Sequence, residues 1–456
     1  MILKKPWSWA KEYPYSFLLI FGVLVRIIIY VLYYGHVSIF NDSEGYLTMA
    51  EMIKNWDFSN YAGTRTPGYP LLIFLANLSL QITTILQSIL GILTSLMLFY
   101  IFYKNSKNLH FSLLIGLIPS IFLHLLFYER AILTENLTLF CLVFCVWLLF
   151  KFDFFTQKVS LWKVLLIGLA AAITLMVRPM FLILPPLIAF YYLVLNFRSG
   201  IFHNLSRIFL FCIPAFIFYS FWVSFNENHT GYKAITSFSG INVAQTTVFF
   251  VEKADDKYAD IREIHIRKRD SLIASGADEA MAIWHVYAEL GKKEPLTVAE
   301  FSQLLKPMND DLLENNKLAY LKQVVHSWLD FWGTGMMWNY DSFPIKEIKW
   351  ALTGVWLFIM TPIIIILKIL FLIICAFHFY TRIRNRKWSF TFEFFCVLLI
   401  LGASLGQALV TFGSNARFSM PFFPLILLVV FQFYLNNKKY VPSRIGIKKR
   451  RNLPNR

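Results

Sequence analysis

Residues 80–103 read LQITTILQSILGILTSLMLFYIFY, a stretch without a single charged side chain. A bilayer's hydrocarbon core is about 30 Å thick, and a helix needs about 20 apolar residues to cross it. This stretch meets that requirement, so it predicts a transmembrane helix. Upstream, 16–34 repeats the pattern with Arg26 as its one charge. Downstream come apolar runs at 111–127, 131–150, 164–178, 180–195, 208–225, 356–380, 391–412 and 419–435. Several are short for a perpendicular span, and the pair around Arg178-Pro179 reads as two short spans joined by a tight turn. Position 351–380 is too long for one straight span, and Lys368 within it must snorkel or find a partner. The expectation is an all-α polytopic membrane protein with about ten transmembrane helices.

Composition agrees. Hydrophobic residues make up 57% of the 456 and charged residues only 15%, too few to clothe a soluble protein of this length. Phe (46), Tyr (22) and Trp (13) suit a bundle interior and a headgroup belt. The net charge of +16 resides in short clusters between apolar runs, which is a topology signal and argues against nucleic acid as a partner. The five cysteines all fall inside apolar runs, and the nine histidines are scattered, so no disulfide framework or zinc motif is legible. Lys4, Lys5 and Lys11 precede the first run without a small-residue cleavage site, so that run is read as a retained span.

With a cytoplasmic N-terminus, the inner segments carry 22 Lys/Arg, and the short outer ones carry only Lys54, Arg65, Arg130, Arg178 and Arg417. The positive-inside rule therefore sets both termini in the cytoplasm. Four regions follow: a transmembrane module over 1–225, whose first outer loop is 35–79; an outer insertion over 226–348; C-terminal transmembrane helices over 349–435; and a basic cytoplasmic tail over 436–456. The insertion mixes 18 acidic with 13 basic residues. From Pro295 to Trp332, the spacing of Leu296, Phe301, Leu304, Leu305, Leu312, Leu318, Leu321, Val325 and Trp328 predicts amphipathic helices against the bundle's outer face.

The outer turns carry the chemistry. The first loop reads Phe40-Asn41-Asp42-Ser43-Glu44-Gly45-Tyr46 and closes with Arg65-Thr66-Pro67-Gly68-Tyr69-Pro70. Then come Tyr128-Glu129-Arg130 with Glu135, Arg178-Pro179, and Asn415-Ala416-Arg417-Phe418. Each arginine alone is equally well read as a headgroup anchor. Together, with acids beside them at one membrane boundary, they favour a shared site, and guanidiniums suit phosphate because their planar fork donates two hydrogen bonds. Arg26 is expected to pair inside the bundle.

An early outer acid, a Tyr four residues on and an Arg-x-Pro-x-Tyr-Pro close resemble the GT-C glycosyltransferases, nearest to the protein-mannosyltransferase and aminoarabinose-transferase-like branch. Asp42, Tyr46, Arg65, Pro67 and Tyr69-Pro70 carry the likeness, supported by Glu129-Arg130, Glu135, Arg178-Pro179 and Arg417 with Pro421. The motifs are short, and two departures stand out: Ser43 separates acids that are adjacent in many relatives, and Arg65 stands one position away from the lysine of some relatives. The resemblance implies a GT-C-like bundle with a polyprenyl-phosphate sugar as donor and a lipid, glycan or protein as acceptor; the Lys/Arg count turns the site outward, and the Lys-, Ile-, Asn- and Phe-rich composition without a targeting peptide points to a bacterial plasma membrane. It implies a base at Asp42 or Glu44, phosphate binding by Arg65, Arg178, Arg417 and Arg130, and orientation by Tyr46, Tyr69, Glu129 and Glu135. No cofactor is indicated; a divalent metal is chemically admissible beside the two close acids, but no ligand set is legible. Two other readings stay open: a lipid-linked glycan polymerase or ligase using Arg262, Arg267 and Arg269 of the insertion, and a non-enzymatic lipid or solute transporter.

Overall fold

The computed structural model describes residues 4–438 except 157, 387 and 414, so most of the basic tail (439–456) lies outside the described residues. Among the described residues the chain is helical, with one isolated bridge between Ser38 and Ala131. The first half runs through α1 (Lys4–Glu12), α2 (Pro14–Leu32), α3 (Asn41–Asn55), α4 (Gly68–Leu75), α5 (Leu80–Ser106), α6 (Leu109–Ile121), α7 (Leu123–Tyr128), α8 (Glu135–Lys151), α9 (Leu161–Val177), α10 (Leu184–Leu195) and α11 (Ile201–Thr230). The insertion holds α12 (Ser239–Thr246), α13 (Ala259–Ala274), α14 (Ala282–Leu290), α15 (Val298–Asn315) and α16 (Lys317–Phe331). The chain then returns through α17 (Lys346–Val355), α18 (Thr361–Asn385), α19 (Phe392–Val410) and α20 (Phe423–Lys438).

Six helical stretches among these residues are long and apolar enough to cross a membrane: Pro14–Leu32, Leu80–Ser106, Asn204–Thr230, Lys346–Asn385, Phe392–Val410 and Asn415–Asn437. The expected count of about ten is therefore not supported. The other four apolar runs do form helices, but shorter ones. The run at 111–127 breaks at Phe122, which is extended (φ −80, ψ 116). The run at 131–150 becomes helical only at Glu135, α9 has 17 residues, and Pro179–Ile183 is a 3-10 turn ahead of α10. Lys346–Asn385 is 40 residues of unbroken helix with a π turn at Trp356–Met360, about twice the length that a perpendicular span requires.

Exposure follows what lipid demands. Leu24, Ile27, Ile28 and Val31 on α2 and Ile363, Ile366, Ile369 and Ile373 on α18 face outward, a cost in water and none in hydrocarbon. Helix α8, enclosed by its neighbours, is buried along most of its length. The insertion has its own core of Ile241, Phe250, Ile264, Ile283, Phe301, Leu305 and Met308. Its α15 starts on a capping box between Thr297 and Glu300. On α16 the expected core positions Leu318, Leu321 and Val325 face away from the protein, and Val324, Ser327 and Phe331 are buried instead. Ser237 N–H donates to Gly63 O at 2.7 Å and Tyr320 Oη to Leu409 O at 2.6 Å, which fastens the insertion onto one end of the bundle.

Two intramembrane charges find partners. Arg26 grips Glu129 with two bonds, Nε to Oε2 at 2.8 Å and Nη2 to Oε1 at 2.5 Å, and also donates to Ser120 Oγ and Gly22 O. Lys368 donates to the carbonyl of Gly333 and to Ser419 Oγ. Arg26 is thus both paired and hydrogen-bonded, as a buried charge requires, whereas Lys368 is hydrogen-bonded with no acid beside it among the described residues.

Candidate functional site

The end of the bundle beneath the insertion gathers side chains from four distant parts of the chain. Asp42 lies in the first turn of α3, where the helix dipole favours a negative charge. Successive helical residues turn by about 100°, so Asp42 and Glu44 cannot face the same way. Between them Ser43 is buried, accepts the Phe40 N–H and donates to Ile132 O at 2.8 Å, and this fixes the helix's rotation. Asp42 consequently faces the arginines, and Glu44 is exposed.

Arg65 Nη2 donates to Asp42 Oδ1 at 3.0 Å, and its guanidinium lies 4.5 Å from the Tyr46 ring centre. A methyl group at Gly45 would lie 2.8 Å from Arg65 Nε, so the glycine makes room for the guanidinium. Arg417 pairs with the other oxygen of Asp42 and brings its Nε within 3.8 Å of Glu135 Oε1. Glu135, at the start of α8 and buried, accepts from Arg178 Nη2 at 3.1 Å. Pro179 favours an extended conformation at Arg178 (φ −150, ψ 115), which ends α9 there. Gly68 packs on that same helix end, where an added Cβ would lie 2.7 Å from Val177 N. Phe418 is shared, its ring centre 4.3 Å from the Arg178 guanidinium and 5.3 Å from that of Arg417.

Three guanidiniums thus meet two carboxylates in one contiguous cluster, and one positive charge is left over. Several buried polar atoms there lack a hydrogen-bond partner: Arg65 Nε, Arg178 Nη1, Arg417 Nε, Glu135 Oε2 and Tyr128 Oη. Buried donors without partners are costly, and here they cluster around a positive centre. Burial alone would raise the Asp42 carboxyl, but the adjacent Arg417 and Arg65 outweigh it and hold the group below the usual carboxylate range. Burial pushes the Tyr46 hydroxyl up, which keeps it neutral.

Not every residue expected here arrives. Arg130 is turned away: Nη2 donates to Gly35 O at 2.9 Å and His36 O at 2.8 Å, and Nη1 to Thr84 Oγ1 at 2.9 Å, so it clamps the start of the first loop. Its neighbour Glu129 is held by Arg26, and Glu135 pairs with Arg178 and not with Arg130. Tyr69 packs edge-on against Tyr46 at 5.1 Å but sends its hydroxyl to Gln87 Oε1 at 3.0 Å. In the insertion, Arg262 pairs with Asp256, Arg267 with Glu289, and Arg269 with Glu252 and Asp270, so none joins the cluster.

Three site residues carry no role in the sequence reading, although Tyr128 and Phe418 stand in its charged turns. Phe418 follows Arg417 directly, and Phe238 of the insertion lies 4.9 Å from the Arg65 guanidinium. Tyr128, fully buried, faces the charges of Glu135, Arg417 and Arg178. Only adjacency to a charged turn marked Phe418 and Tyr128, and nothing marked Phe238 in a chain so rich in rings. Comparison with known proteins supplies no relative: no protein-family model matches the chain, and no curated protein matches it.

Proposed function

We propose that the protein is a membrane glycosyltransferase of GT-C type, which moves one sugar from a polyprenyl-phosphate donor to an acceptor hydroxyl on the outer face of a bacterial plasma membrane. The observation that carries this reading is the convergence of Arg65, Arg178 and Arg417 around Asp42 and Glu135, with one positive charge unbalanced and buried donors unpartnered. Such a centre suits a phosphate oxygen on which negative charge grows as the bond to the sugar breaks.

The acceptor oxygen attacks the anomeric carbon, its proton passes to Asp42, and the C–O bond to phosphate breaks to release the lipid phosphate. One base and a cationic clamp require no covalent nucleophile, so the anomeric configuration inverts. Paired with Arg417 and Arg65, Asp42 is a weak base, because the two arginines stabilise its charged form. Donor phosphate competes for those guanidiniums, frees the carboxylate and raises its basicity, so the base becomes competent when the donor is bound.

Titrating the purified protein with polyprenyl phosphate tests the donor class. The thermal midpoint should rise with ligand, and the rise should vanish in Arg65→Gln/Arg417→Gln, as linkage requires. An equal rise in that variant would refute the phosphate clamp.

A further inference from the structure

The ends of α8 and α9 that carry Glu135 and Arg178 define one end of the bundle, and their other ends define the opposite one. There the turn after α8 and the turn between α10 and α11 border an open cleft of about 560 Å³. Phe154, Phe155 and Phe197 supply apolar walls, and Asn196, Lys158 and Arg198 supply polar groups. No carboxylate lines it among the described residues. Asp153, the acid nearest in sequence, is already paired with Lys104 at 2.7 Å.

The surroundings resemble a headgroup level. Trp162 is 59% exposed and Phe197 77% exposed, as rings are where one side meets lipid and the other water. Lys151 and Lys163 stand over the rings of Trp147 and Trp162, so cations and aromatics alternate around this rim.

We infer that this cleft binds the headgroup of an anionic phospholipid, with Lys158 and Arg198 on its phosphate and the phenylalanines against the glycerol and first acyl carbons. Basic pockets between transmembrane helices on the positively flanked side attract acidic headgroups, and two cations without an acid partner among the described residues, beside an aromatic wall, fit a charged group on an apolar stem. The cleft lies at the far end from the arginine cluster, so the inference does not depend on sugar transfer.

The test uses the full chain in neutral detergent, with lipid retention read by native mass spectrometry. Phosphatidylglycerol should be retained over phosphatidylcholine. Lys158→Gln/Arg198→Gln should lower that preference on the order of tenfold or more, since the two charge-assisted contacts to the phosphate are lost. Lys151→Gln/Lys163→Gln, which removes two cations at the same level but outside the cleft, should leave it unchanged. Equal loss in both double variants would mean diffuse surface charge, and no loss in the first would mean no site; either overturns the inference. Displacement of the lipid by glycerol phosphate at equal concentration would make this a soluble-anion site and also overturn it.

Discussion

Asp42 and Glu44 differ by one helical step of side-chain direction, and that decides which acid the arginines meet. Asp42→Asn should abolish release of free polyprenyl phosphate while leaving the protein folded and inserted; Glu44→Gln should retain it, because Glu44 is exposed and outside the cluster. The opposite pattern would transfer the base to Glu44. At this scale the sequence was partly legible. Arg65, Arg178 and Arg417 were marked by standing at helix ends in short turns, where few positions are available and each is costly to expose to lipid. Glu129 and Arg130 stood in an equally charged turn, yet Arg26 takes the one and the carbonyls of Gly35 and His36 take the other. Adjacency in a turn does not tell which way a side chain points.

The insertion is the element with the clearest pH response. His265 is buried in α13 with both ring nitrogens unpartnered, and burial, helped by the Arg269 charge, brings its pKa down to about 4. Between pH 6.5 and 4 the unfolded chain takes up a proton that the folded insertion refuses, so stability is full above pH 6.5 and declines as pH falls towards 4. The loss approaches roughly 3 kcal/mol at the acid end. Hydrogen exchange over α13 and α14 at pH 5 should be faster in the wild type than in His265→Leu, relative to the same pair at pH 7.5. An unchanged ratio would exclude this histidine as the cause. Elements were legible where periodicity was long: α15 emerged from the Pro295–Trp332 spacing with Phe301, Leu305 and Leu312 buried. On α16 the same spacing pointed to the wrong face, because apolar residues beside a membrane suit an outer surface as well as a core. Run length alone also overcounted spans, since Phe122 and the Pro179 turn break helices whose hydropathy continues across the break.

Across the whole molecule, ion pairs join helices far apart in the chain. Arg26 and Glu129 link α2 to the turn after α7, and both are buried. Arg26→Met leaves a buried carboxylate alone and should cost about 3–5 kcal/mol, lowering the melting midpoint in mild detergent, whereas Arg26→Met/Glu129→Leu should recover much of the loss. Equal midpoints for wild type and Arg26→Met would show that the pair bears no weight. At the end of the bundle beneath the insertion, Asp42, Glu135, Arg65, Arg178 and Arg417 form a similar lattice, but with one positive charge in excess and donors without hydrogen-bond partners among them. That difference separates a pair that serves the fold from a cluster that suits a ligand. Sugar transfer is tested most directly by comparing, by mass spectrometry, the surface glycans of cells lacking the protein with those of cells given the wild type or Asp42→Asn. The account predicts one sugar's mass missing without the protein, restored by the wild type and still missing with Asp42→Asn. Identical glycans in all three would contradict it.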